Sequence, residues 1–177
     1  MSSRFERIGS ETAYEGKIFT VRRDRFRHED GEVVQREVVA HPGAVAIVAH
    51  DGERVFVVRQ PREAVGSPDL LELPAGKLDE EGESPLDTAK RELAEEIGKA
   101  ATSWKHLRSF YLSAGFSDEE CHVFEATGLS DAHAEVVEHE RIDVETWPLD
   151  ELPELIDACR DAKSLVGLLE LRLRLGR

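Results

Sequence analysis

Residues 76–99 read GKLDEEGESPLDTAKRELAEEIGK, and this stretch decides the fold that the sequence predicts. Ser84 is a typical N-cap residue, and Pro85 fits the first helical position, where its missing N–H leaves no hydrogen bond unmade. Apolar side chains then recur at steps of three and four residues, as on one buried helix face; they are Leu86, Ala89, Leu93 and Ile97. Gly98 is a typical stop signal. The pattern therefore predicts a helix from residue 84 to residue 97.

Short predicted strands flank this helix on both sides, with turn signals between them. The continuous apolar run at residues 44–48 indicates a strand buried on both faces. After the Asp51-Gly52 turn, residues 55–58 are predicted to return as its partner strand. The other predicted strands are residues 18–25, 33–39, 70–73, 121–126 and 143–148.

Two further helices are predicted at the end of the chain, over residues 150–159 and 164–175. The second has an apolar stripe formed by Leu165, Leu168, Leu169 and Leu173. Its tail, residues 171–175, alternates with a period of two, which weakens the helical pattern there. Strands mixed with two or three helices favour an α/β (α+β) domain in which sheet and helices form layers.

Composition excludes several classes of protein. A chain of 177 residues is long enough for one domain with its own apolar core. The net charge of −14 argues against a nucleic-acid partner, because proteins that hold a phosphate backbone normally present a basic surface. No apolar run approaches the ~20 residues of a membrane span, and the first residues lack a signal-peptide pattern. Cys121 and Cys159 lack metal-motif spacing, which indicates reduced thiols in a cytoplasmic protein.

Three carboxylates share a second face of the predicted helix. Glu92, Glu95 and Glu96 are spaced i, i+3 and i+4, so their like charges repel by roughly a few tenths of a kcal/mol per pair. A divalent cation would neutralise them, and oxygen ligands suit Mg²⁺ or Mn²⁺ rather than zinc or copper. A solvated acidic face is the alternative interpretation. The preceding Gly76 favours a cation–phosphate site, because glycine lets a loop carbonyl turn toward the same ion.

The stretch 76–99 resembles the signature of the Nudix hydrolases. Residues 91–98, RELAEEIG, carry the arginine, the glutamates, the apolar position and the glycine of that signature, and seven residues separate Glu83 from Arg91 as in the family. The chain departs from the signature by one extra residue between Gly76 and Glu83, and by a lysine at its last, normally apolar, position. The resemblance implies a Nudix-like α/β/α sandwich with a mixed sheet, preceded by a small N-terminal β segment.

The resemblance also implies roles for residues of the signature. Nudix hydrolases cleave a nucleoside diphosphate linked to another group, with Mg²⁺ or Mn²⁺ held by the motif helix. The implied metal ligands are Glu92, Glu96, Glu95 and the backbone carbonyl of Ala75. Arg91 is implied to orient a motif glutamate, with Glu83 as the natural candidate, so Arg91 and Glu95 also count as candidate catalytic residues.

Sequences around the signature resemble the ADP-ribose pyrophosphatase branch of the family. They are RQPREAV at 59–65, LELPAG at 71–76 and FSDE at 116–119. In that branch an N-terminal β segment helps to form a homodimer. The implied organisation is a β segment over residues 1–42, which takes part in dimerisation, and a hydrolase domain over residues 43–177.

Three arginines are candidates for binding substrate in such an enzyme. Arg62 is implied to contact a phosphate or the ribose, and Arg59 and Arg36 are weaker candidates. The alternative interpretation of each is a surface arginine. One departure bears on the substrate: the branch usually has a proline in a Ser-Pro-Gly-like stretch after the motif, whereas this chain has Ala114 there.

The branch also places a catalytic glutamate on a loop beyond the motif. Residues 138–144, EHERIDV, resemble that loop running into a strand, which makes Glu140 the first candidate for the general base and Glu138 the second. A general base must come within hydrogen-bond reach of the attacking water. A mobile acidic loop without a catalytic role is the alternative interpretation.

The expected activity is the Mg²⁺-dependent hydrolysis of the diphosphate of ADP-ribose to AMP and ribose 5-phosphate. An alternative is a Nudix pyrophosphatase that acts on a nucleotide-sugar, another nucleoside diphosphate derivative or an oxidised nucleoside triphosphate. A second class is a metabolite-binding Nudix domain without catalysis, although this chain keeps the motif glutamates that such domains usually lose. The third class, an acidic structural protein, explains the charge but not the order of the motif.

Overall fold

The computed structural model describes residues 4–132 and 141–176. The chain divides into two compact units. Unit 1 consists of Met1–Gly43 together with Tyr111–Glu120, and unit 2 consists of Ala44–Phe110 together with Cys121–Arg177. Unit 1 is thus built from two pieces of the chain that are distant in sequence.

Unit 1 contains a three-stranded antiparallel sheet in the order β1 (Phe5–Glu15), β2 (Thr20–His28) and β3 (Val33–Ala40). The strands predicted at residues 18–25 and 33–39 correspond to β2 and β3, whereas β1 was not predicted. Central β2 carries Asp24, which is 1% exposed and accepts a hydrogen bond of 2.5 Å from Ser10 of β1.

Unit 2 contains a mixed sheet in the order β7 (Ala75–Lys77), β4 (Ala44–Ala49), β9 (Glu120–Asp131) and β8 (Lys99–Tyr111). β4 runs antiparallel to β7 and parallel to β9. All six residues of β4 are buried, which confirms the strand predicted from its continuous apolar run. β7 and β8 were not predicted; the side chains of β8 are mostly exposed and show no apolar alternation.

A second sheet of unit 2 has the order β10 (Asp143–Pro148), β5 (Arg54–Arg62) and β6 (Ser67–Glu72), all antiparallel. The prediction that residues 55–58 pair with residues 44–48 is therefore wrong. Only an isolated bridge next to the turn, between His50 and Val55, joins the two strands. β4 instead has β7 and β9 on its two edges, because a strand buried on both faces lies in the interior of a sheet.

The three helices are α1 (Pro85–Ile97), α2 (Leu152–Ala158) and α3 (Ala162–Leu175). α1 confirms the predicted helix: the Ser84 hydroxyl accepts a hydrogen bond of 3.2 Å from the Asp87 N–H, and Gly98 ends the helix with φ +64°. α2 follows a 3₁₀ turn at Leu149–Glu151. Among the described residues, no helix combines the length and apolar character needed to cross a membrane.

The helices α1 and α3 cover opposite faces of the mixed sheet. Ala89, Leu93 and Ile97 of α1 share one apolar cluster with alternate residues of β4, namely Val45, Ile47 and Ala49. Gly167 of α3 lies instead against Val48, which points to the other face because strand side chains alternate. This arrangement confirms the α/β/α sandwich with a mixed sheet.

The buried face of α3 differs from the predicted stripe. Ser164, Gly167, Leu168 and Leu171 are buried, whereas Leu169 and Leu173 are 45% and 74% exposed. The reason lies at Gly167, where an added Cβ would stand 2.5 Å from Leu73 Cδ1 and 3.0 Å from Val48 Cγ2. The helix contacts the sheet closely at Gly167, which has no side chain. The spacing of apolar residues, on which the prediction rested, does not reveal a contact made by a glycine.

Candidate active site

β7 and α1 bring the motif glycine under a motif carboxylate. A Cβ built on Gly76 would lie 2.1 Å from Glu92 Cδ, so any other residue at position 76 would displace this side chain. β7 pairs with β4 with Gly76 opposite Val45, which is fully buried under α1. The short strand therefore carries the loop backbone directly beneath the carboxylate face of the helix.

The next residue toward the N-terminus contacts a second motif carboxylate. The Ala75 N–H donates a hydrogen bond of 2.9 Å to Glu96 Oε2. Ala75 stands opposite Ala46 of β4, and its neighbour Pro74 accepts a hydrogen bond of 2.8 Å from the Ile47 N–H. The structure thus brings together Ala75 and Glu96, two of the residues predicted to hold a metal ion.

Arg91 connects the remaining motif carboxylates. Its Nη1 donates to Glu92 Oε1 at 2.8 Å and to Glu95 Oε2 at 3.0 Å, and its Nε donates to Glu83 Oε1 at 3.2 Å. Burial by itself would lower the pKa of Arg91, but its hydrogen bonds with Glu83 and the charge of Glu92 raise that pKa above its ordinary value. The same hydrogen bond from Arg91 lowers the pKa of Glu83. Arg91 and Glu83 therefore stay ionised at neutral pH.

The donor set of this site consists of hard oxygen atoms, which fits Mg²⁺ or Mn²⁺. Glu92 and Glu95 are partly buried, with 14% and 24% of their side chains exposed, so a cation would meet both carboxylates at the surface of α1. Within residues 4–132 and 141–176, no three His, Cys, Asp or Glu side chains converge in an arrangement ready for a metal. The Arg91 guanidinium, which lies between Glu92 and Glu95, supplies the positive charge in this arrangement.

Arg62 lies at the end of β5 and forms a two-pronged ion pair with Glu72 of β6. Its Nε is 2.6 Å from Glu72 Oε1 and its Nη2 is 2.8 Å from Oε2. These hydrogen bonds raise the pKa of Arg62, and the charge of Glu96 adds to the effect, so Arg62 lies within electrostatic range of one motif carboxylate, that of Glu96. The Arg62 side chain is 41% exposed, whereas the Glu72 side chain is 1% exposed.

The other two candidate arginines have different surroundings. Arg59 donates from Nε to Glu145 Oε1 of β10 at 2.7 Å and from Nη1 to the Asp69 carbonyl at 3.3 Å, so this guanidinium binds neighbouring strands. Arg36 lies on β3 in unit 1, where its Nη1 donates to the Gln35 carbonyl at 2.8 Å.

A cavity of about 330 Å³ in unit 1 contains Arg36 in its wall. Its lining also includes Ala114, which replaces the proline of the ADP-ribose branch, and Phe116 and Asp118 from the FSDE stretch. The structure therefore brings Arg36 together with the FSDE stretch, which resembles the ADP-ribose pyrophosphatase branch. Phe26 also lines this cavity and was not a candidate, because nothing in the sequence connects it with residues 114–118.

The two candidates for the general base, Glu138 and Glu140, lie outside the described residues, so their role stays a prediction. Two residues near the site were missed by the sequence analysis, namely Glu72 and Lys163. Glu72 had one available signal: a charged residue inside the apolar run at 70–73 indicates a buried, paired carboxylate. Lys163 had none, because Glu72, the partner that connects it with the site, is 91 residues away in sequence.

Comparison with known proteins establishes the family. The model of the NUDIX domain matches residues 39–166, which is well over half of the chain. The chain belongs to the Nudix hydrolase family. A second model, the nucleoside diphosphate sugar hydrolase N-terminal domain, matches residues 5–39 of this Nudix hydrolase.

Several curated relatives resemble this Nudix hydrolase over most of its length. An ADP-ribose pyrophosphatase from Mycobacterium tuberculosis is 48% identical over 79% of this chain and 68% of its own. An ADP-ribose pyrophosphatase from Bacillus subtilis is 36% identical over 94% of this chain and 92% of its own. A methanol dehydrogenase activator from Bacillus methanolicus is 37% identical over the same shares of both chains.

A solved structure supports the architecture. The crystal structure of an ADP compounds hydrolase superposes with a TM-score of 0.85 at 24% identity and covers 98% of this chain and 95% of its own. At this identity the likeness concerns the fold, and it agrees with the layered α+β arrangement described above.

Proposed function

We propose that this Nudix hydrolase cleaves the diphosphate of ADP-ribose to AMP and ribose 5-phosphate in a Mg²⁺-dependent reaction. The observation that carries the proposal is the grouping of Ala75, Gly76 and the α1 carboxylates in one unit, within electrostatic range of Arg62. The names of the relatives from M. tuberculosis and B. subtilis support ADP-ribose as the substrate.

In the proposed reaction, Glu92, Glu96, Glu95 and the carbonyl of Ala75 hold Mg²⁺. An ion held by these residues would supply positive charge against the phosphates, a lowered pKa for a water molecule and stabilisation of the leaving phosphate. Gly76 leaves the space that Glu92 occupies, and the Ala75 N–H fixes one oxygen of Glu96. Arg91 acts as a positioning residue, because its hydrogen bonds hold Glu92, Glu95 and Glu83 in a fixed mutual orientation.

Arg62 is the proposed contact with the substrate. Its Nε and Nη2 donate hydrogen bonds to Glu72, while Nη1 has no hydrogen bond to any described residue. The Nη1 side of the guanidinium is therefore available to a phosphate oxygen. Arg59 and Arg36 are weaker proposals: Arg59 is bound to Glu145, and Arg36 lines the cavity of unit 1.

The proposed general base is Glu140, with Glu138 as the second candidate. The base accepts a proton from the attacking water while the oxygen of that water forms a bond to one phosphorus. The bond between this phosphorus and the bridging oxygen breaks. The two products, AMP and ribose 5-phosphate, together contain the atoms of ADP-ribose and one water.

Product analysis tests this proposal. Purified protein is incubated with Mg²⁺ and, separately, with ADP-ribose, other nucleoside diphosphate sugars and nucleoside triphosphates. We expect rapid release of AMP from ADP-ribose, no release in EDTA, and recovery on adding Mg²⁺. Hydrolysis of another panel member with ADP-ribose inert would overturn the substrate but not the hydrolase. Binding of ADP-ribose without AMP release would favour a metabolite-binding domain.

We further propose that the protein is a cytoplasmic homodimer in which residues 1–42 take part in the interface. Unit 1 exposes two large aromatic side chains, Phe5 at 63% and Phe116 at 58%, which a second copy would cover. Light scattering during size-exclusion chromatography should give twice the mass of 19.8 kDa. A monomer at micromolar concentration would contradict this proposal and leave the reaction untouched.

A further inference from the structure

Lys163 is a buried cation that has no direct part in the reaction proposed above. Only 13% of its side chain is exposed, and its Nζ lies 2.6 Å from Glu72 Oε2 and 2.9 Å from Asp161 Oδ2. Burial by itself would lower the pKa of Lys163, but the charges of Asp161 and Glu72 raise that pKa above its ordinary value. The ammonium group therefore stays charged inside the fold.

Glu72 needs this cation as well as Arg62. A buried carboxylate is strongly unfavourable unless its oxygens are paired, and the Glu72 side chain is 1% exposed. Among the described residues, Oε1 accepts from Arg62 alone, whereas Oε2 accepts from both Arg62 Nη2 at 2.8 Å and Lys163 Nζ at 2.6 Å. The plane of the carboxylate, and with it the direction of the Arg62 guanidinium, therefore depends on both cations.

We propose that Lys163 is a positioning residue for substrate binding: it holds Glu72 so that Arg62 presents its remaining N–H groups to the substrate diphosphate. The positive and negative charges are equal in number in this cluster, which consists of Arg62, Lys163, Glu72 and Asp161. A diphosphate would therefore meet an arginine already fixed in direction, which lowers the entropy lost on binding. The proposal rests on the substrate contact of Arg62 in the proposed function.

A purely structural role is the rival explanation, because the same part of α3 also anchors β6. Asp161 caps α3 by accepting from the Ser164 N–H at 3.0 Å and from its hydroxyl at 2.6 Å. The Ser164 hydroxyl in turn accepts from the Leu73 N–H at 2.8 Å, two residues before Ala75. A structural role predicts a loss of stability when Lys163 is changed, without a selective loss of substrate affinity.

Steady-state kinetics on ADP-ribose separates the two explanations. The variants are Lys163→Gln, Lys163→Arg, Arg62→Ala and the double variant Arg62→Ala with Lys163→Gln; exposed Lys105→Gln is the matched control. We expect Lys163→Gln to raise KM about tenfold, with kcat changed less than about threefold, because one charged hydrogen bond is lost. Lys163→Arg should recover most of this loss, and Lys105→Gln should behave as wild type.

The double variant gives the sharper result. If Lys163 acts through Arg62, Lys163→Gln should add no further loss once Arg62 is alanine, because coupled residues are non-additive. Full additivity, or an unchanged KM in the single variant, would overturn the proposal. Thermal unfolding shows whether each variant is folded at the assay temperature, and Lys163→Met replaces Lys163→Gln if the latter is not.

A measurement without substrate keeps this inference separate from the proposed function. The Arg62 Nε–H resonance in a ¹H–¹⁵N spectrum is assigned from its loss in Arg62→Ala. It should shift in Lys163→Gln and stay in place in Lys105→Gln. Wild-type protein that does not hydrolyse ADP-ribose would refute the proposed substrate, while a shifted resonance would still support positioning. An unshifted resonance would overturn the positioning role even in an active enzyme.

Discussion

At the scale of single residues, the site depends on how carboxylates are neutralised. Glu92 and Glu95 would repel each other on one helix face, and Arg91 keeps them together by contacting both. Glu96 accepts a hydrogen bond from the backbone N–H of Ala75. The arginine fork and the backbone donor therefore hold the carboxylates in a fixed arrangement, and this order reduces the rearrangement needed when a cation binds.

Glu96→Gln tests the residue that links α1 to β7. The change keeps the size of the side chain and an acceptor for the Ala75 N–H, but removes the charge that a Mg²⁺ ligand requires. We expect kcat to fall on the order of 100-fold, since metal stabilisation of the reacting phosphate is worth several kcal/mol. The measurement is turnover of ADP-ribose as a function of Mg²⁺ concentration.

The control for this change is Glu81→Gln, which removes one carboxylate from an exposed position in the loop before α1. It should leave turnover and Mg²⁺ dependence as in wild type. Wild-type turnover by Glu96→Gln at saturating Mg²⁺ would remove Glu96 from the proposed metal site.

At the scale of elements, α1 serves packing and chemistry on two of its faces. Ala89, Leu93 and Ile97 fill the core against β4, and this fixes the rotation of the helix about its axis. With the rotation fixed, the carboxylates on another face lie over β7. Core packing therefore determines where the charged groups stand.

Leu93→Ala tests this packing. Leu93 is fully buried, so its truncation should lower the free energy of unfolding by about 2–5 kcal/mol through lost burial and the cavity left behind. Leu173→Ala is the matched control in α3, because Leu173 is 74% exposed; its effect should be within about 0.5 kcal/mol. Urea unfolding followed by circular dichroism gives both values. Equal effects would show that the assigned burial of one leucine is incorrect.

At the scale of the whole molecule, local partners lower the pKa values of several carboxyl groups in an acidic chain. The net charge is −14, yet several carboxyl groups have pKa values below their ordinary values. The groups with lowered pKa values are Asp24, Asp51, Glu72, Asp79, Glu83 and Asp87. For Asp51 the largest cause is hydrogen bonds from the backbone N–H groups of Arg54 and Glu53. For Glu72, burial raises the pKa, but Arg62 and Lys163 together lower it.

These lowered pKa values make stability depend on pH in one direction. A carboxyl with a lower pKa in the folded than in the unfolded state stabilises the fold above the unfolded pKa, and this contribution is lost as pH falls through the folded pKa. The ordinary values are 3.8 for Asp and 4.5 for Glu, so the free energy of unfolding should begin to fall below about pH 5 and continue to fall further down.

Asp51→Asn tests the contribution of one turn to this dependence. Asparagine keeps an oxygen for the Arg54 and Glu53 N–H groups but does not titrate. The variant should lose less stability than wild type between pH 5 and pH 3, as measured by urea unfolding at each pH. An identical loss in both proteins would mean that Asp51 has the same pKa folded and unfolded.

Local patterns in the sequence were sufficient for some elements and for the motif. The cap residues Ser84 and Gly98 and the apolar steps of α1 predicted this helix correctly, because they act within a few residues of the chain. The Nudix signature and the buried strand at residues 44–48 were likewise correct from short stretches. Strand β8 was missed, because its exposed side chains follow no apolar alternation.

The sequence alone determined the family, the motif helix and the identity of the acidic residues, since these depend on residue types at short spacing. Only the tertiary structure decided which strands pair, which face of α3 is buried and which cations pair with Glu72. β4 pairs with β9, which lies 77 positions further along at the pair Val45 and His122, and Glu72 meets Lys163 across 91 residues. Such contacts form because buried backbone groups need hydrogen bonds and buried charges need an opposite charge. No local sequence pattern specifies which distant residue supplies that partner.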